Sequence, residues 1–83
     1  MGSVVAQELG IRRFSAADGP FVGALSLEAF GPFAGNARET TLRMVGEPST
    51  RTLVATRDDE RLGFVVIELH GRGIASVQAI AVA

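Results

Sequence analysis

The chain has 83 residues, 47% of them apolar and 20% charged, with a formal net charge of −1 and no cysteine. That length makes one small domain near the lower limit for a self-sufficient core, and the apolar fraction is that of a globular chain rather than a disordered one. Disulfides, thiolate nucleophiles and cysteine-based zinc sites are excluded, and with no basic run longer than Arg12-Arg13 the chain lacks the patch that nucleic-acid binding needs.

Residues 1–9 read as a flexible arm, and Met1-Gly2-Ser3 has the look of a cloning remnant; residues 10–83 form a single domain. The start has neither the charged-then-apolar order of a signal peptide nor the myristoylation pattern, since Ala6 sits where Ser or Thr is required. No apolar segment approaches membrane-spanning length, so no membrane partner is expected. Secreted domains of this size usually carry disulfide staples, so a cytoplasmic location is the expectation.

Ile11-Arg12-Arg13-Phe14 is a short strand, with Arg12-Arg13 a solvated edge. Ser15-Ala16-Ala17-Asp18 offers a capping signature of the Ser-x-x-Asp type. Pro20 is tolerated in a first turn and breaks a helix deeper in, so a start at Asp18 is preferred. Phe21, Val22, Leu25 and Ala29 then share one helical face, and Gly31-Pro32 ends the helix. Asn36 and Glu39 mark a second, shorter helix with Leu42 and Val45 on its apolar stripe. Gly46 is placed for a left-handed C-cap, and Pro48 prevents continuation.

Thr50–Thr56 is a strand by its β-branched content, and Arg57-Asp58-Asp59-Glu60-Arg61 is a charged turn. Leu62–His70 alternates, with Val65, Ile67 and Leu69 on one face and Phe64, Val66, Glu68 and His70 on the other. Gly71-Arg72-Gly73 makes the next turn. It precedes a strand, whereas a phosphate-binding loop opens a helix, so it is read as a hairpin. Ser76–Ala83 reads as a strand that is apolar on both sides from Ala79 onward, the pattern of a strand covered on both faces. The expected class is α+β, ordered β-α-α-β-β-β, with short turns that make the sheet antiparallel.

From Ile11 to Ala83 this order resembles the N-terminal half of the GNAT N-acetyltransferase superfamily, the acyl-CoA N-acyltransferase fold. Ile11–Asp18 looks like the family's first strand entering helix one, and Leu53–Phe64 like its second hairpin with an acidic turn and a Gly-Phe step. Val77-Gln78-Ala79-Ile80-Ala81-Val82 is similar to its fourth strand. The resemblance implies transfer of an acetyl group from acetyl-CoA to an amine, on a small molecule, a protein N-terminus or a side chain. It implies pantetheine pairing with backbone groups at Ile80, Ala81 and Val82, and acceptor contacts from Glu28, Phe30 and Phe33.

The same resemblance exposes departures. The family's Arg/Gln-x-x-Gly-x-Gly loop, whose amides and helix N-terminus hold the cofactor pyrophosphate, does not follow Val82, and the chain has no tyrosine to serve as the usual acid. Ser76 stands where many relatives carry a glutamate base and cannot itself act as one at neutral pH. No catalytic residue is assigned; a base would be a water chain or a carboxylate such as Glu28 or Glu68. A lone histidine, His70, is a weak candidate for metal or base, and no metal is expected. Two outcomes remain open: a truncated half, inactive until a C-terminal half joins it, or a noncatalytic module whose second copy pairs through Ser76–Ala83.

Overall fold

A computed structural model describes residues 9–83. The expected arm at residues 1–8 lies outside that range, but Leu9 does not belong to an arm: it opens strand β1, Leu9–Arg13. The remaining elements are a short 3-10 turn at Ala16–Asp18, helix α1 at Gly19–Phe30, helix α2 at Ala37–Val45, and strands β2 (Thr50–Arg57), β3 (Glu60–Gly71) and β4 (Ile74–Val82). The strands form one antiparallel sheet in the order β1-β2-β3-β4. The class is α+β, and the element order is the one the sequence implies.

Both hairpins turn on two residues with positive φ, the geometry that matches the twist of antiparallel strands. Asp58 and Asp59 (φ 48° and 71°) link β2 to β3, and Arg72 and Gly73 (54° and 75°) link β3 to β4. The first turn is therefore tighter than the charged run suggested. Arg57 belongs to β2, and Glu60 and Arg61 belong to β3.

Helix α1 packs against one face of the sheet. Val22 and Leu25 bury against Phe64 and Val66 of β3 and against Ala79 and Ala81 of β4, with Phe21 and Ala29 at the margin. Each fully buried aliphatic side chain of this kind contributes about 2 kcal/mol. Gly23 lets α2 approach α1, since a Cβ there would lie 3.2 Å from the Arg38 side chain. Ser26 is also fully buried on this face.

The helix ends differ from expectation. The Asn36 side chain makes no capping hydrogen bond, and Gly46 is right-handed (φ −81°, ψ −5°) rather than left-handed. The last turn of α2 is closed by main-chain donors, Gly46 N–H to the Leu42 and Arg43 carbonyls and Glu47 N–H to the Met44 carbonyl, and the Thr50 hydroxyl adds a hydrogen bond to the Met44 carbonyl at 2.6 Å, with the Glu47 carbonyl 3.0 Å away.

The strand β4 corrects a second expectation. It is covered on one face only, with Ala79 and Ala81 beneath α1 and Ile80 and Val82 61% and 76% exposed on the opposite face. It also lies at the edge of the sheet.

Candidate functional site

The β3–β4 ladder contains two irregularities. Val66 pairs with Ala79 but Ile67 with Val77, leaving Gln78 extra on β4; Leu69 pairs with Ala75 but Gly71 with Ile74, leaving His70 extra on β3. One slip reverses the face a side chain takes, and the second restores it. Between the two bulges, Val77 joins Ile67 on the open face while Ser76 lies opposite Glu68 on the helix side.

Four polar side chains converge there. The His70 Nε2 and Ser76 Oγ atoms are 2.7 Å apart. The Gln78 amide donates to Ser76 Oγ at 3.0 Å and to Glu68 Oε1 at 3.1 Å. Glu68 Oε1 lies 3.8 Å from His70 Nε2. His70 is thus exposed, as expected, but partnered. The sequence pattern pointed to Glu68 and His70 on one face; it gave no sign of Ser76, because regular counting from the Arg72-Gly73 turn sets Ser76 opposite Leu69.

Further along β4 the main chain faces outward at defined positions. The Ala83 N–H donates to the Leu62 carbonyl at 2.8 Å, and Ala81 pairs with Phe64. Alternation in an antiparallel ladder therefore turns the Ala81 groups toward β3 and the N–H and C=O of Ile80 and Val82 toward the open edge. Of the three positions expected to pair with pantetheine, Ile80 and Val82 turn their main-chain groups away from β3, where no described strand lies, and Ala81 does not. The bulge at Gln78 bends the strand just before this stretch.

Beside that edge, the uncovered face of the sheet forms an open apolar concavity of about 440 Å³, bounded by Leu9, Ile11, Leu53, Val65, Ile80 and Val82. Gly63 sets its floor. A Cβ on Gly63 would come 2.5 Å from the Ala81 carbonyl oxygen, so glycine is what allows β3 and β4 to close at this point.

Arg12 is exposed on the edge strand β1, as expected, but its guanidinium also reaches a buried carboxylate. Asp18 is fully buried and accepts both Arg12 Nη atoms at 2.7 Å, Arg61 Nε at 2.7 Å and the Ser15 N–H at 2.8 Å. The Arg12 hydrogen bonds, aided by Arg61 and Ser15 and opposed by burial, hold the Asp18 carboxyl well below the usual carboxylate range. The same pairing raises Arg12. Asp18 accepts the Ser15 N–H as the Ser-x-x-Asp capping signature implies, makes no side-chain cap to α1 itself, and also ties the start of the helix to β1 and β3 through Arg12 and Arg61.

The acceptor residues implied by the resemblance lie at and just beyond the end of α1. Phe30 is half-buried against the core, whereas Glu28 and Phe33 are exposed, Phe33 at 89%. Among the described residues no group of three or more His, Asp or Glu is placed to hold a metal ion, and no helix is long and apolar enough to cross a membrane. No protein-family model matches the chain, and no curated protein matches it.

Proposed function

We propose that the chain contributes the first half of a GNAT-type N-acetyltransferase, with the outer edge of β4 as the strand against which acetyl-CoA lies. The observation that carries this reading is the main-chain phase of β4: Ile80 and Val82 turn N–H and C=O groups outward, beside an apolar strand bent by a bulge. An extended ligand bearing amides pairs with such an edge as an added strand does. Acetyl-CoA, when bound, supplies the acetyl group as a reactive thioester. An outward N–H of Ile80 or Val82, fixed by the sheet, would offer a preorganised donor to the thioester carbonyl oxygen, with little reorganisation. Glu28, Phe30 and Phe33 at the end of α1 are the proposed acceptor contacts.

The fit to the cofactor is partial. The edge suits the pantetheine arm, but the only Gly-x-Gly turn, Gly71–Gly73, opens a strand and offers no helix N-terminus to a diphosphate. The proposal therefore includes a partner, a C-terminal half carrying the pyrophosphate loop, without which the chain is inactive. The test is to mix the chain with a GNAT C-terminal half beginning at that loop and follow thiol release from acetyl-CoA. A complex with restored cleavage is expected; no complex and no cleavage overturns the proposal.

A second reading is favoured by the exposed apolar face and the β4 edge together. In it the chain is a noncatalytic module that completes its sheet with a second copy through Ser76–Ala83. Sedimentation separates the two, since a tight homodimer indifferent to acetyl-CoA supports the module.

A further inference from the structure

We propose that Ser76 is an acyl-accepting nucleophile activated by His70, an activity separate from acetyl transfer to an amine. The basis is geometric. Ser76 Oγ lies 2.7 Å from His70 Nε2, within the reach a base needs to take a hydroxyl proton. The bond is held by placement, because the bulges at His70 and Gln78 bring the two side chains onto the helix side of the β3–β4 hairpin.

The surrounding groups suit each stage of the step. With the ring proton on Nδ1, Nε2 accepts the Ser76 hydroxyl. Oγ attacks the carbonyl carbon of an activated ester, the new Oγ–acyl bond forms, and the hydroxyl proton passes to Nε2. The bond from carbonyl carbon to leaving oxygen then breaks and the oxygen departs as an aryl oxide. The imidazolium so formed lies 3.8 Å from the Glu68 carboxylate, and the Gln78 amide, donating to Oγ at 3.0 Å, orients the Ser76 hydroxyl so that its own proton faces Nε2. His70 returns its proton to solvent. The histidine is exposed and Ser76 half-buried, so a small ester reaches both. The expected substrate class is small activated acyl esters.

The test uses the 83-residue chain and p-nitrophenyl acetate, with intact mass and peptide mapping as readout. The chain contains no lysine, so background acetylation is confined to the N-terminus, His70 itself and hydroxyls. One acetyl group on Ser76 is expected, and His70→Gln slows its appearance roughly 100-fold, the low end of what a positioned base contributes. Ser76→Cys, nearly isosteric, retains labelling at position 76 and guards against a folding defect in Ser76→Ala. Acetylation that spares Ser76 in the wild-type chain, or that proceeds equally in His70→Gln, overturns the proposal. No coenzyme A is involved, so the result is independent of the acetyltransferase reading.

Discussion

Replacing Asp18 with asparagine tests whether the buried carboxylate holds α1 to the sheet. Asn keeps the shape, but it removes the charge and turns a donor toward the guanidinium groups of Arg12 and Arg61. Breaking a buried ion pair by changing one partner costs about 3–5 kcal/mol. Here the arginine side chains are 43% and 36% exposed and can swing back into water, so part of that cost is relieved. We expect a loss of about 2–3 kcal/mol at pH 7. For a domain of this size that lowers the melting temperature by roughly 10–20 °C.

The pH dependence supplies the sign. The folded-state pKa of Asp18 is depressed below its unfolded value of about 3.9, so the stabilisation is complete above that pH and is lost as pH falls through the folded value. The gap between wild type and Asp18→Asn is therefore full at pH 7 and narrows below about pH 4. Urea unfolding followed by circular dichroism at pH 7, 5 and 3 measures it, and comparing the two proteins cancels the other carboxylates. Equal midpoints at pH 7, or a gap as wide at pH 3 as at pH 7, refute the reasoning.

Gly63→Ala forces a methyl group against the Ala81 carbonyl, which is main chain and cannot step aside; a loss of about 3 kcal/mol is expected in the same unfolding assay. Ser26→Ala removes a buried hydroxyl that has no hydrogen-bond partner among the described residues and favours the helix, so the urea midpoint should rise, by about 1 kcal/mol in stability. Proline at Ile80 removes only an outward N–H and costs less than about 1 kcal/mol, whereas proline at Ala81 breaks the ladder to β3 and costs about 3 kcal/mol. Equal losses from the two prolines would show that the main-chain phase of β4 is misassigned.

Local rules reached most of the fold but stopped at long-range contacts. The hairpins, the helix order and the Val22–Leu25 face follow from turn residues and periodicity, all of which act over a few residues. The Asp18 network was hidden because Arg61 lies 43 residues away, and nothing near Asp18 separates a helix cap from a buried anchor. The Ser76–His70 contact was hidden for another reason. Counting back from Arg72-Gly73 with no slip sets Ser76 opposite Leu69, on the wrong face. The composition nevertheless held a clue, since only a phase change gathers Ser76 and Gln78 with Glu68 while placing Val77 with Ile67. Likewise, the strand looked apolar on both sides from Ala79 onward. Regular alternation sorts that stretch by size, with the small alanines under the close-packed helix and the larger Ile80 and Val82 on the open face.

If the two bulges are compensating slips, deleting a bulged residue should be milder than deleting its neighbour. Removing Gln78 brings Val77 next to Ala79, and every pairing from Gly63–Val82 to Leu69–Ala75 survives in a regular ladder. The cost is the local twist and the Gln78 hydrogen bonds, together about 1 kcal/mol. Removing Ile80 has no such escape. Either Ala79 moves to the open face or Val82 is driven beneath α1 where an alanine fits, and a one-residue slip of this kind misplaces one end of the strand. We expect the Gln78 deletion to keep a dispersed amide spectrum and a cooperative melt, and the Ile80 deletion to lose both. Should both deletions unfold the chain alike, β4 does not carry a removable bulge, and the convergence of Ser76 with His70 loses its structural cause.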